Sequence, residues 1–363
     1  MDTSVPDIEF YKDGRCSLCK NYDDVLSHEI HDDLNGQMQL KSLLQKIKNS
    51  SKKGKYDCVI GVSGGVDSSY VAHLVKGYGL TPLAVHLDNG WNSELATSNV
   101  EKLLKELDID LYTEVLNWNE FKDIQKSFLK SSISNIEIPT DHAIWAILAR
   151  VAAKHKIKYI FAGNNVVTES IMPDSWLYGS KDFKLIKSIH NKYGEVPMKS
   201  FPKLSILDYI YYFLFLGIRW VPILNYISFI KSEAKQLLID KYGWRDYGGK
   251  HYESIFTRFF HAYYLPEKFG YDLRRSYNSA LVCSKQISRQ DAILDLEAPP
   301  AEPETLSRDK DYVIKKLGFS EEEFQEIMQS SNKTHNDYRN NEHIWKKFSN
   351  IVSIARNWIT RVN

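Results

Sequence analysis

Four cysteines among 363 residues are too few to staple a chain of this size into a disulfide framework. A reducing cytoplasm is the default compartment. The N-terminal "MDTSVPDIEF" lacks the basic and apolar regions of a signal peptide. A charge excess is missing too: 47 lysines and arginines face 46 acids, for a net charge of +1. That balance speaks against a dedicated nucleic-acid binder. A clean membrane-spanning run is also absent. The longest apolar stretch, Ile206 to Ile230, is interrupted by Asp208, Arg219 and Asn225, and Pro222 would break a continuous helix through it. A pair of helices buried in the fold or capping a pocket is expected there, with no integral membrane span. Apolar residues, by contrast, make up 43% of the chain, enough for one large domain or two ordinary ones.

From Tyr56 the chain alternates two periodicities. "YDCVIGV" is a short apolar run of strand type, followed by a helical pattern through Val66, Tyr70, Leu74 and Tyr78 that Gly79 can end. "PLAVHL" reads as a strand, and Leu95, Val100, Leu103, Leu104 and Leu107 mark a helix. "DLYTEVL" is strand-like, Ile144, Ile147, Leu148 and Val151 recur at helical spacing, and "YIFAG" is a buried strand. This alternation predicts an α/β fold, a doubly wound parallel sheet with helices on both faces. Three regions follow: a small N-terminal segment containing "CSLC" over 1–30, a nucleotide-type domain over 31–200, and a helical, aromatic-rich region over 201–363. Within the last, "LEAPPAEPETLSRD" reads as a connector. It precedes a helix, a turn at Gly318, and a second helix begun by a Ser320–Glu323 capping box.

In such sheets ligands sit outside the carboxyl ends of the strands. The first strand is followed by "GVSGGVDSS", which is neither GxxxxGK[ST] nor GxGxxG. Gly64 and Gly65 let the backbone approach a phosphate and expose its N–H groups. Ser63, Ser68 and Ser69 offer hydroxyl donors, and the following helix directs its positive end at the anion. Asp67 repels phosphate, so a bridging Mg²⁺ is the natural reading of its presence. Such a loop suits a β,γ-pyrophosphate leaving group, with chemistry at the α-phosphate. The bland alternative is a serine-glycine turn before a surface helix. After the second strand, Asp88 stands where a ribose or adenine would rest, or caps the next helix. His86 is a nucleotide contact or a packed core histidine. After "YIFAG" come Gly163, Asn164, Thr168 and Glu169 in "GNNVVTES". There Glu169 can hold Mg²⁺ or cap a helix, and Thr168 is taken on the substrate side.

The order SGGxDS resembles the loop of the ATP pyrophosphatase family, whose fold is adenine nucleotide α-hydrolase-like. More of the chain, from about residue 1 to about 330, resembles the N-acetyl sugar amidotransferases of lipopolysaccharide O-antigen and related surface-glycan biosynthesis. The stretches that carry this are "GLTPLAVHLDNGWNSELATSNVEKL", "IPTDHAIWA", "GNNVVTESIMPDSW", "GWRDYGGKHYESIFTRFF" and "LPEKFGYDLRR". The resemblance implies ATP and Mg²⁺, and a UDP-linked acetamido sugar as acceptor. Its acetamido oxygen attacks the α-phosphate, pyrophosphate leaves, and ammonia displaces AMP from the O-adenylated imidate to give an acetamidino sugar. It also implies a separate glutaminase subunit and a cyclase-like barrel subunit that relays ammonia.

In that scheme Lys250 neutralises charge at the α-phosphate and His251 moves a proton. Glu253 and Arg258 fix sugar or diphosphate groups and Arg274 the substrate diphosphate; the alternative for each is a solvated charged face. Two departures stand out. Leu273 and Tyr277 occupy places where relatives tend to carry lysine and histidine. Relatives also have a CxxC pair just before the stretch matching the N-terminus, so Cys16 and Cys19 resemble the second half of a four-cysteine zinc site. Two thiolates alone cannot complete a tetrahedral Zn²⁺. The competing readings are a tRNA thiolase of the same superfamily, which needs sulfur-handling cysteines and a basic RNA surface, and a non-catalytic nucleotide-binding module.

Overall fold

The structure is a computed structural model, and residues 1–6, 8–50 and 54–347 are described. Five parallel strands form one sheet: β1 (Cys58–Gly61), β2 (Pro82–Asp88), β3 (Asp110–Val115), β4 (Tyr159–Phe161) and β5 (Arg219–Val221), in the order β3-β2-β1-β4-β5. The expected doubly wound α/β sheet is therefore present. Its order reverses between β1 and β4, where Val59 pairs with Ile160 and Ile60 with Phe161. That reversal opens a crevice at the strand ends.

The strands read as apolar runs because both faces are covered. Cys58 and Ile60 pack with one layer. It is formed by α2 (Leu34–Ser50), α3 (Val66–Gly77), α4 (Glu94–Glu106) and α10 (Lys231–Tyr242), through Leu44, Ile47, Val71, Val75, Leu103 and Leu238. Val59, Leu83 and Val85 point the other way. They meet α5 (Trp118–Lys130), α6 (Ile138–Lys154) and α8 (Phe183–Tyr193), with Ile124, Phe128, Ile147, Val151 and Ile189 in the seam. Only the edge strand β3 alternates, and its Val115 is 68% exposed.

The helical region extends that second core through α11 (Ile255–Phe259), α12 (Leu265–Phe269), α13 (Leu273–Cys283), α15 (Pro303–Leu317) and α16 (Glu321–Gln329), while α14 (Arg289–Glu297) lies against α13 outside it. Gly318 turns the chain with φ +72° between α15 and α16, and the Ser320–Glu323 capping box is formed as expected. At the other end, α1 (Ser17–Glu29) starts at Cys16, whose sulfur accepts from the Cys19 N–H.

The stretch from 206 to 230 is not the expected pair of buried helices. It forms the short α9 (Ile206–Tyr209), a π-helical segment over Ile210–Phe215, strand β5, and a 3₁₀ turn over Ile223–Tyr226. Pro222 does stop regular structure, but directly after a strand that joins the sheet. Thus the sheet takes its fifth strand from beyond residue 200. Leu207 and Phe215 stand nearly bare, 77% and 79% exposed. Among the described residues no helix is long and apolar enough to cross a membrane.

Candidate active site

A cavity of about 430 Å³ lies at the carboxyl ends of β1, β2 and β4, floored by Val62, Val85, Leu87 and Leu148. Its rim includes Ser63 and Ser68 after β1, His86 on β2, and Gly163 and Asn164 after β4. The serines hold one another in a ring. Ser63 Oγ is 3.2 Å from Ser68 Oγ and accepts from the Gly65 N–H at 3.2 Å, and the Ser63 N–H donates to Ser68 Oγ at 3.3 Å. Gly64 needs its missing side chain. Its φ is +92°, and a Cβ would lie 2.9 Å from the Tyr247 hydroxyl and 3.0 Å from the Ala96 carbonyl. Trp244 Nε1 and Tyr247 OH both donate to the Gly64 carbonyl, at 2.8 and 2.9 Å, so the loop's outer bend is pinned by the 244–247 segment.

The loop carries no lysine of its own, yet two reach it from far along the chain. Lys231 Nζ, from the start of α10, lies 3.7 Å from Asp67 Oδ2, and Lys250 Nζ lies 3.0 Å from Glu169 Oε1. Glu253 closes the ring, accepting from Ser63 Oγ at 3.2 Å with His251 Nδ1 3.9 Å away. The structure therefore gathers Ser63, Gly65, Asp67, Ser68, Gly163, Asn164, Glu169, Lys250, His251 and Glu253 at one mouth.

The charges there are tuned by burial. Burial pushes the Asp67 carboxyl up against the pull of Lys231 and Lys250, and Glu169 adds to the rise. Burial also opposes the charge on Glu169, but Lys250, His251 and Lys231 outweigh it and hold that carboxylate below its usual range. Glu253 is likewise held low despite burial, chiefly by His251. Burial depresses the Lys231 ammonium, with Asp67 opposing. His251 takes φ +63°, a left-handed backbone rare for a non-glycine residue and common at strained functional sites.

Asp67 Oδ1 is buried without a hydrogen-bond partner, beside Glu169. Two carboxylates facing a phosphate-type loop, one oxygen left unsatisfied, fit Mg²⁺, which usually takes one or two carboxylates plus phosphate and water oxygens.

Other expected residues lie elsewhere or are already engaged. Ser69 is buried in the first turn of α3. Asp88 accepts from the Gly90 N–H at 2.9 Å and shapes the turn after β2. His86 lines the cavity, but Nδ1 donates to the Val62 carbonyl at 2.8 Å and Nε2 faces Asn92 Nδ2 at 3.0 Å. Thr168 is buried, with its N–H and hydroxyl both on Asn165 Oδ1, within the short helix α7 (Val166–Glu169). Arg274 is bound to Asp272 at 2.7 Å and to the carbonyls of Asp295 and Ala298.

Arg258 forms a two-pronged pair with Asp309 of α15, Nη2 to Oδ1 at 2.9 Å, and the Asp309 side chain is only 3% exposed. Arg258→Met strands that carboxylate. It should lower unfolding stability by about 3–5 kcal/mol, with much of the loss recovered in Arg258→Met/Asp309→Leu. Chemical denaturation measures this. A raised substrate KM at unchanged stability would instead make Arg258 a ligand residue.

The zinc expectation is not supported. Cys16 and Cys19 lie with their sulfurs 3.3 Å apart, but Cys16 is occupied in capping α1. Cys283 joins them, its thiol held down at about 7, chiefly by a hydrogen bond with Cys19. Among the described residues no group of three or more His, Cys, Asp or Glu is placed to hold a metal ion.

Sequence reasoning missed Lys231, which stands alone after an apolar run with no local pattern to mark it. It also passed over Glu137 and Asp141, which face the cavity from α6, and His261, which burial keeps neutral. Tyr277 had registered only as a departure from relatives. Its ring sits under Lys250, with Nζ 4.1 Å from the ring centre.

Residues 253–352 match the family model described as "LPS biosynthesis protein WbpG-like, C-terminal domain". No curated protein matches the chain. Among solved structures, a predicted subunit of tRNA methyltransferase from Methanocaldococcus jannaschii is 15% identical with a TM-score of 0.30, over 50% of this chain and 75% of its own. NMN synthetase from Francisella tularensis is 17% identical with a TM-score of 0.26, over 57% and 87%. An NH3-dependent NAD synthetase from Campylobacter jejuni is 14% identical with a TM-score of 0.29, over 79% and 98%. The matched domain begins at Glu253, the residue that reaches back to Ser63 of the loop.

Proposed function

We propose that this chain is an ATP-dependent, AMP-forming amidotransferase that converts an acetamido group of a UDP-linked sugar to an acetamidino group. The observation that carries the reading is the convergence of Lys231, Lys250, Asp67 and Glu169 on a glycine-serine loop that lacks a cation of its own. The match of residues 253–352 to a lipopolysaccharide-biosynthesis domain supports a glycan acceptor.

In this reading the loop grips the two outer phosphates of ATP through its N–H groups, its serine hydroxyls and the start of α3. Lys231, beside Asp67, balances charge on the departing pyrophosphate. Lys250 stands on the opposite carboxylate, Glu169, and neutralises the α-phosphate as the amide oxygen attacks it. Asp67 and Glu169 would hold Mg²⁺, which when bound neutralises phosphate charge and orients the leaving group. Adenylation makes the amide oxygen a leaving group. Ammonia then adds to the carbon, and AMP departs. His251, held by Glu253, is placed to move protons at this mouth. Ammonia is mostly protonated at neutral pH, so a separate glutaminase subunit and a cyclase-like barrel subunit supply it.

Mass spectrometry of the sugar after incubation with ATP, Mg²⁺, ammonium and a panel of UDP-linked acetamido sugars tests this. Replacing O by NH lowers the product mass by about one unit in this covalent-intermediate scheme. Unchanged sugar across the panel, with ATP consumed, contradicts it.

A further inference from the structure

The cavity at the strand ends does not stand alone. Asn135, Asp141, Leu177 and Trp220 line it and also line a wider cleft of about 2090 Å³ on their far side. Ligand pockets usually measure about 300–1,000 Å³. The inner cavity therefore suits one nucleotide, and the outer cleft has room for a second, larger substrate. The cleft offers what a nucleoside diphosphate sugar needs. Lys181 and Arg219 supply positive charge, and Tyr226, Phe269 and Tyr271 supply flat apolar faces. Lys181 is itself half-buried, and its Nζ lies over the Trp145 ring at 4.8 Å. Burial depresses its ammonium.

We propose that a nucleoside-diphosphate-linked acetamido sugar occupies this outer cleft and presents its amide at the junction, where Asp141 accepts the proton released when ammonia adds. This rests on the amidotransferase reading above. It extends that reading by assigning the acceptor's site and a catalytic residue.

The junction is built for that step. Glu137 is the cap residue just before α6, Asp141 stands one turn later in its first turn, and both line the inner cavity. Burial raises Glu137 to about 8, with the Asp141 charge adding to the rise. Burial raises Asp141 to about 6, with His251 pulling the other way. Glu137 is thus neutral at pH 7, while Asp141 is ionised and close enough to neutrality to take a proton. Environments that push two carboxyls apart in this way separate donor from acceptor. The other groups facing the pair are His251, Tyr277 of α13, and Glu253, which acts on Glu137.

In the step itself the ammonia lone pair forms the C–N bond as the imidate C=N pair moves onto its nitrogen, and one N–H proton passes to Asp141. That nitrogen pair then re-forms a C=N bond as the C–O bond to the adenylate breaks, with its electron pair leaving on AMP. Asp141 afterwards releases its proton to solvent along the cleft.

The experiment uses the full chain, ammonium chloride as nitrogen source, and a UDP-linked diacetamido sugar as probe. Two rates are read: sugar-dependent exchange of labelled pyrophosphate into ATP, and acetamidino product formation. Asp141→Asn should keep the exchange within about threefold and lose product formation by roughly 100-fold. With the free-ammonia concentration held constant, wild-type kcat should fall about tenfold per pH unit below about 6, because protonated Asp141 can accept nothing. The residual rate of Asp141→Asn should lack that limb. Lys181→Met should raise the sugar KM by about tenfold or more and leave saturated exchange little changed.

No sugar-dependent exchange in the wild type would refute the amidotransferase reading itself. Normal exchange together with wild-type product formation and pH limb in Asp141→Asn overturns the present inference. So does loss of both rates at an unchanged melting temperature. If Asp141→Asn melts lower, Lys181→Met decides: an unaltered sugar KM overturns the assignment of the cleft.

Discussion

Replacing Lys231 or Lys250 with methionine should each cut ATP-dependent turnover by about 100- to 1,000-fold, the usual effect of removing one preorganised charge from a reacting phosphate. The two losses should differ in kind. Lys231 lies against Asp67 at the first turn of α3, beside the part of the loop that would hold the leaving pyrophosphate. Its removal should appear mainly as weaker ATP binding and slower pyrophosphate exchange. Lys250 lies on Glu169 and over Tyr277, and in the proposed reading it would act on the inner phosphate, so its removal should lower kcat with ATP affinity nearly intact. Steady-state kinetics with MgATP as the varied substrate separates the two. If both variants stay within about threefold of wild type, neither lysine serves the phosphates.

Gly163→Val should damage nucleotide binding by displacing the groups expected to contact the nucleotide, without removing any side chain that makes such a contact. A Cβ at Gly163 would sit 2.9 Å from the Ser68 nitrogen and 3.0 Å from the Asp67 carbonyl carbon. Both are backbone atoms in the first turn of α3, so neither can swing aside. Either β4 or the helix start must move, and with it Asp67, Ser68 and the N–H groups aimed at the anion. Overpacking of this kind costs about 1–3 kcal/mol of stability. The shift of the loop should weaken ATP binding by about tenfold or more, since an interaction displaced by an ångström is largely lost. Gly77→Ala is the control. It lies at the other end of the same helix, and its Cβ would meet nothing within 4 Å. Calorimetric titration with a non-hydrolysable ATP analogue reads the difference; equal affinity in both variants would mean that β4 does not set the loop's position.

The sequence disclosed those parts of the site that are local. A strand, two glycines and a helix start lie within about a dozen residues, so the loop after β1 could be read directly, and the four strands that precede residue 170 with it. Part of "YGGKHYES" could be read for the same reason: Lys250, His251 and Glu253 stand near one another in space as they do in the chain. What stayed hidden depends on distance. Lys231 meets Asp67 across 164 positions, and nothing in "ISFIKSEAK" marks it. Strand β5 is three residues inside an apolar run that reads equally well as a helix, and only its pairing with β4 makes it a strand. Arg258 looked like a ligand residue because its partner, Asp309, is 51 residues away. Asp141 and Glu137 carry no local pattern that singles them out. Their chemistry comes from burial, which spacing along one helix does not reveal.

The most direct test of the central claim is phosphorus NMR of the nucleotide products during turnover with Mg²⁺, ammonium and a UDP-linked acetamido sugar. Cleavage between the α- and β-phosphates predicts AMP and pyrophosphate in equal amounts, appearing only when the sugar is present. ADP and inorganic phosphate would show that the loop between Val62 and Ser69 holds its nucleotide for a different bond, and the account would be wrong.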